Sequence, residues 1–213
     1  MTDVVDAHDI RISRLELGPY GTNSYIVVSK ATGTSLLVDA PAESGKILAA
    51  LQGTSPRYIV ITHNHFDHTQ ALKEVKSSLG VPIAVHSLDA GALPCPADIE
   101  LKDGDALTID HLTLTVMHTP GHTAGSICLY TGKYLLAGDT IFPGGPGHTA
   151  SPADLATIVQ SIITRILPLP DETVIYPGHG DPAILANEKK SIVSFNSQPH
   201  SPDLHGDVLW FSS

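Results

Sequence analysis

Cysteine is almost missing from this chain. Cys95 and Cys128 are the only two among 213 residues. They share no CxxC spacing, so neither a disulfide scaffold nor a thiolate zinc site is expected. Positive charge is scarce too. Lysine and arginine total 12 against 22 aspartates and glutamates, for a net charge of −10 with histidine neutral. A nucleic-acid groove or an anionic membrane surface needs the opposite balance, so neither partner is expected. No apolar run is long enough to cross a bilayer. The first ten residues, MTDVVDAHDI, hold three acids and no lysine or arginine, unlike a secretory signal. A cytoplasmic protein is the expectation. GxSxG, P-loop and GxGxxG patterns are all absent, which leaves serine-hydrolase and nucleotide-binding readings without support.

What the chain has in excess is histidine. There are twelve, as many as lysine and arginine together. Hydrophobic residues make up 42% and charged residues 16%, the balance of a globular chain with a real core. No low-complexity linker or internal repeat interrupts it. One domain over 1–213 is expected, with a C-terminal tail from about residue 198.

Short β-branched runs open the chain: IRISRLEL from Ile10, SYIVVS from Ser24 and SLLVD from Ser35. Ile47, Leu48 and Leu51 then share a helical face, and RYIVIT (57–62) reads as a buried strand. Ala71, Leu72, Val75 and Leu79 mark a second helix before the strand PIAVH (82–86). The second half repeats the order. LTLTVMH (112–118), SICLYT (126–131) and YLLAG (134–138) are strand-like. Ser151, Pro152 and Asp154 form a helix-start signature. The stripe Leu155, Ile158, Val159, Ile162, Ile163 and Ile166 predicts a long helix. TVIYP (173–177) is the last strand, and a helix is expected from about Leu185. Strands then helices, twice over, predict an α/β fold: two packed sheets with helices outside, a four-layer αββα sandwich.

The histidines follow this pattern. RYIVIT runs out into HNHFDH, which holds His63, His65, Asp67 and His68. In extended chain, His63 and His65 project to one side. Three later strands end likewise: His122 follows Pro120-Gly121, Asp139 follows Gly138, and His179 follows Pro177-Gly178. Glycine in such turns permits unusual backbone angles. Any one of these residues alone would be an ordinary polar residue. Five histidines and two aspartates at strand ends point to a metal centre.

HxHxDH, then H in TPGHT, D in AGDT and H in PGHG, resembles the metallo-β-lactamase superfamily over about residues 10–180. The resemblance implies the same αββα fold and two metal sites. His63, His65 and His122 would hold one ion, Asp67, His68 and His179 the other, with Asp139 bridging. Nitrogen and carboxylate ligands without thiolate suit Zn²⁺, with Fe or Mn as alternatives. The implied chemistry is hydrolysis of a small acyl ester, thioester, lactone or amide by a hydroxide held between two divalent ions. Asp67 would ligate and also orient or deprotonate the nucleophile.

Within the superfamily, AGDTIFPGGPG (137–147) and PGHG resemble the glyoxalase II-like hydrolases, which cleave hydroxyacyl-glutathione thioesters. Secreted β-lactamases usually carry Cys or Ser where Asp139 stands, and flavodiiron relatives carry Glu where His65 stands. The glyoxalase II pattern has a basic residue soon after the Gly-Gly step. Here Gly144-Gly145 is followed by Pro146, Gly147 and His148, and the next basic residue is Arg165. A small acyl substrate other than the glutathione thioester is therefore expected. A mononuclear iron enzyme resembling the persulfide dioxygenases, or a lactonase, is the alternative, and a non-catalytic binding protein has the least support. The dioxygenases' Arg-containing segment after the bridging aspartate is absent.

Tyr20, in an early hairpin turn, and Phe142 and His148, in the loop after Asp139, are candidate substrate contacts. His148 is weighed slightly toward an ordinary loop residue, because nothing in the sequence pairs it. His86 and His118 read as structural. The tail from Gln198, with His200, His205, Trp210 and Phe211, either folds back on the body or mediates self-association into a homo-oligomer.

Overall fold

The computed structural model describes residues 1–211. Seven strands form the first sheet in sequence order: β1 (Thr2–Asp6), β2 (Ile10–Leu17), β3 (Thr22–Ser29), β4 (Thr34–Val38), β5 (Ser55–Ile61), β6 (Ile83–His86) and β7 (Ile99–Leu101). β1 to β4 meander antiparallel, and β4 to β7 run parallel. Parallel neighbours need a crossover. Helix α1 (Ser44–Ala50) lies between β4 and β5. Helices α2 (Phe66–Thr69) and α3 (Leu72–Leu79) lie between β5 and β6, and α4 (Ser87–Ala90) follows β6.

The second sheet holds β8 (Ala106–Ile109), β9 (Leu112–His118), β10 (Ile127–Thr131) and β11 (Tyr134–Gly138). A two-residue hairpin, β12 (Ile141–Phe142) with β13 (Gly145–Pro146), follows. After α5 (Pro152–Ser161) the chain adds β14 (Val174–Pro177) and β15 (Ala183–Ile184), then α6 (Leu185–Ser197). The sheet order is β15-β14-β11-β10-β9-β8.

Alternation along the strands explains the layers. Leu36, Val38 and Val60 pack between the sheets with Leu114, Val116, Leu129 and Leu136. Their neighbours Leu37, Ile59 and Ile61 face the other way, against Ile47, Leu72 and Val75 of the helices. On the far side, Leu135, Ala137 and Ile175 pack against Ile158, Ile162, Ile192 and Phe195. A strand buried on both faces reads as a continuous apolar run, as YIVI does. The fold is the expected αββα sandwich.

Ser151 caps α5 as expected. Its Oγ accepts from the Asp154 amide at 3.2 Å and donates to the Asp154 carboxylate at 2.6 Å. The predicted long helix is not uniform, however. After Ser161 it widens into a π turn, Ile162–Ile166, in which the Leu167 amide donates to the Ile162 carbonyl at 2.8 Å. The extra residue per turn rotates Ile163 partly out of the stripe, while Ile162 and Ile166 stay buried. Strands β1, β7, β8, β12, β13 and β15 had no expectation attached. They are short edge or hairpin strands, where period-2 patterning has little length to show.

Candidate metal centre

β9 and β11 are both antiparallel to β10, and β14 is parallel to β11. Their carboxyl ends therefore open at one edge. Gly138 pairs with Pro177, which delivers Asp139 and the Gly178-His179 turn side by side. In the first sheet, Val38 pairs with Val60, which sets Asp39 beside Thr62 and His63. Side chains from both sheets meet at this edge.

All seven histidines and aspartates expected to act together converge there. His63, His65 and His122 form one group, Asp67, His68 and His179 another, and His63, His68 and Asp139 a third, each with ligand-type atoms within 4.8 Å of one another. The Nε2 atoms of His63 and His122 are 3.2 Å apart, and those of His68 and His179 are 3.4 Å apart. Asp139 stands between the groups. One oxygen lies 3.4 Å from His68 Nε2, and the other lies 3.6 Å from His122 Nε2 and 3.4 Å from His179 Nε2.

The outer ring nitrogens decide which atoms face inward. His122 Nδ1 donates to the His148 carbonyl at 2.8 Å, and His179 Nδ1 donates to the Tyr20 carbonyl at 3.1 Å. A carbonyl can only accept, so both Nδ1 atoms carry hydrogen. Thr62 Oγ1 gives its hydrogen to Asp39 at 2.8 Å and so accepts from His63 Nδ1 at 3.0 Å. His68 Nδ1 faces the Asp39 carboxylate at 2.7 Å. Four imidazoles are thus held by Nδ1, with Nε2 left for a ligand, as metal-binding histidines are. Asp139 Oδ1 is buried with no hydrogen-bond partner. A buried orphan carboxylate oxygen among converging nitrogens fits a divalent cation.

The charges tell the same story. Burial, helped by the nearby charge of His68, drives His63 well below the usual imidazole range, and burial lowers His65 and His122. Burial also opposes charge on His68 and His179. For His68 the charges of Asp39 and Asp139 win, and for His179 hydrogen bonds to Asp139 and Asp67 win, so both rise to about 10. Asp67 resists burial through His179 and His68 and drops to about 2. Asp139 goes well below its ordinary value, because His68 and His179 outweigh burial.

Two further aspartates build the site and carried no expectation. Asp39, at φ 60° and 2% exposed, receives Thr62 N, Thr62 Oγ1 and His68 Nδ1. Asp89, 1% exposed, accepts from Asn64 N, Thr123 Oγ1 and Gly125 N at 2.7–3.0 Å. It ties the HNHFDH loop to the loop bearing His122. Their signal in the sequence was an acid directly after a strand for Asp39, in LLVDA, and three residues after one for Asp89, in VHSLDA. The start of β3 completes the frame. Asn23 Nδ2 donates to the carbonyls of Pro177 and Gly180, and Thr22 Oγ1 donates to Asp67 at 3.0 Å.

The glycines differ in role. Gly121 and Gly138 have φ of +132° and +48°, as turns with unusual angles require. Gly178 has no positive φ. There the need is space, since a Cβ would overlap the Asp139 carboxylate and approach His68.

The candidate substrate contacts separate. Phe142 is half-buried with its ring centroid 6.3 Å from that of His179. His148 does have a partner, Asp207, at 3.0 Å from its Nδ1. This corrects the expectation that nothing pairs it, and the partner lies in the tail, 59 residues on. Tyr20 touches the centre through its carbonyl, and its ring is exposed. His86 stacks on His118 at 3.9 Å and caps α4, so both are structural. The tail folds back on the body, with Trp210 buried against Phe195. A cleft of about 310 Å³ opens on His122, Asp139, Phe142, His148 and His179. A groove of about 360 Å³ between α5, α6 and the tail is larger, but the metal-ligand groups lie outside it.

The profile of the metallo-beta-lactamase superfamily matches residues 17–179, which spans every one of these ligand-type residues. The chain belongs to that superfamily. A hydroxyacylglutathione hydrolase of Methylobacterium sp. (strain 4-46) is 33% identical over 184 residues, covering 84% of this chain and 68% of the relative. Two further hydroxyacylglutathione hydrolases are matched over only 62% and 58% of their own lengths. Among solved structures, TTHA1623 in a di-iron-bound form superposes with a TM-score of 0.72 at 32% identity, covering 83% of this chain and 96% of that one. ETHE1 from Myxococcus xanthus gives 0.75 at 25% identity, covering 84% and 81%. Among the described residues no helix is long and apolar enough to cross a membrane.

Proposed function

We propose that this member of the superfamily is a dinuclear metal-dependent hydrolase of a small acyl ester or thioester. The observation that carries the reading is Asp139, whose Oδ2 lies 3.6 Å from His122 of the first group and 3.4 Å from His179 of the second, while Oδ1 lies 3.4 Å from His68. The first group would hold one ion, the second group the other, and Asp139 would serve both. Zinc suits these donors, and iron or manganese would also be accepted. When bound, such a pair supplies hydroxide at neutral pH and positive charge for the acyl oxygen.

The chain's own groups do the rest. No serine, cysteine or lysine is found among the described residues lining the cleft, which supports water as the nucleophile. Asp67 Oδ2 is pinned by Thr22 Oγ1 at 3.0 Å and lies 3.1 Å from His179 Nε2. Held there as a carboxylate, it orients the attacking water through a hydrogen bond. Phe142, at the mouth, offers an apolar contact to the acyl arm. Water adds to the acyl carbon, and the thiol or alcohol leaves with the proton.

The test is an anaerobic screen of thioesters, esters and lactones, including S-lactoylglutathione, with metal-loaded and chelator-treated protein. Hydrolysis without oxygen that is lost with the chelator is expected. Turnover that requires oxygen would overturn the reading in favour of a mononuclear iron oxygenase. No turnover of any acyl compound by loaded protein would favour a binding protein.

A further inference from the structure

The segment after α6 forms one wall of the metal cleft. Thr149 and Gly206 exchange both backbone hydrogen bonds, at 3.2 and 3.0 Å. Further on, the Trp210 amide donates to the Gly144 carbonyl at 2.8 Å. The Trp210 side chain is 3% exposed and meets the Phe195 ring edge-on. Gly145 lies so close that a Cβ there would overlap the Val208 carbonyl. The three residues between these anchors are therefore held as a strap. Val208 turns inward and is buried. Asp207 and Leu209 flank it at the mouth, in the same cleft as Phe142 and His179.

The charge of this wall is one-sided. Among the described residues lining the cleft none is lysine or arginine. Its acids are Asp139, committed to the histidines, and Asp207, whose side chain is 90% exposed and lies 3.0 Å from His148 Nδ1. Arg14, which donates to the Gly180 carbonyl beside His179, already faces Asp181. Leu209 is 59% exposed and, with Phe142, presents apolar surface to whatever enters.

We propose that this strap selects the substrate of the site, admitting acyl compounds with an uncharged, apolar arm and disfavouring arms that carry carboxylates. The inference rests on the hydrolase reading only in assigning a substrate to the cleft. At the mouth, an arm carrying a carboxylate would meet Asp207 as a like charge and find no lysine or arginine to pair with. An apolar arm would cover Leu209 and Phe142 and gain from their burial.

Binding, not turnover, tests this. Metal-loaded full-length protein is titrated at low salt with two thioethers that have no ester or thioester bond and share one alkyl arm. One is S-hexyl-N-acetylcysteamine, which is uncharged, and the other is S-hexylglutathione, which is anionic. Trp210 is the only tryptophan, so its emission reports on the strap, and equilibrium dialysis gives the affinities. The uncharged probe should bind about fivefold tighter or better, a screened like-charge effect, and Asp207→Lys should narrow or invert the ratio. Asp207→Asn should give an intermediate ratio. Equal or tighter binding of S-hexylglutathione, a ratio unmoved by Asp207→Lys, or no binding of either probe would overturn the proposal. Neither probe has the ester or thioester bond that the hydrolase reading requires. A preference without hydrolysis would remove the hydrolase reading and leave the strap, and hydrolysis without a preference would do the reverse.

Discussion

Asp39 and His68 face each other at 2.7 Å in the interior, both no more than 2% exposed on the side chain. The carboxylate fixes the His68 ring so that Nε2 points into the centre. Asp39 sits at φ 60°, a conformation asparagine also tolerates. Asp39→Asn should therefore keep the backbone but weaken the acceptor. Metal affinity should fall by about 10–100-fold, the usual effect of losing such a partner. Competition with a chromophoric chelator measures it, and an unchanged affinity would mean that Asp39 does not act through His68.

Gly178 has no room for a methyl group beside Asp139. Gly178→Ala should displace the Asp139 carboxylate and lose metal from both positions. The sandwich core lies elsewhere, so far-UV circular dichroism should stay unchanged. Full metal content in the variant would refute the packing argument.

The pH dependence of the metal-free protein follows from His68 and His179. Their folded values of about 10 lie above the ordinary 6.5. A histidine raised on folding contributes stability that is complete below its unfolded value and is lost as pH climbs through its folded value. Metal-free protein should thus become less stable from pH 6.5 toward 9. Divalent metal needs these nitrogens unprotonated, so affinity should rise over the same window. Thermal melts with and without chelator across that range should show opposite trends. A metal-free melt that rises with pH would contradict the charge assignment.

Ser151 caps α5 away from the centre. Ser151→Ala should cost about 1 kcal/mol and lower Tm by about 2–4 °C, with metal content unchanged. Calorimetry and metal analysis on one preparation check both halves.

The convergence of the seven histidines and aspartates was legible in the sequence because each follows a strand. Strands such as YIVI and YLLAG announce themselves by composition. The αββα layering was legible for the same reason, since both halves repeat strands then helices. Asp39 and Asp89 were not, because a lone acid after a strand looks like any turn residue until register sets it beside Thr62 or the His122 loop. Asp207 was hidden more deeply. Its partner His148 is 59 residues away, and only the return of the tail brings them together. The π turn at Ile162–Ile166 was invisible because its apolar spacing also suits an α-helix.

Metal counting tests most directly whether the two groups around Asp139 each hold an ion. Freshly prepared wild-type protein should contain about two divalent ions per chain. His122→Ala and His179→Ala should each retain about one, because each removes a ligand from a different group. A single ion in the wild type that survives either substitution would contradict the two-metal centre.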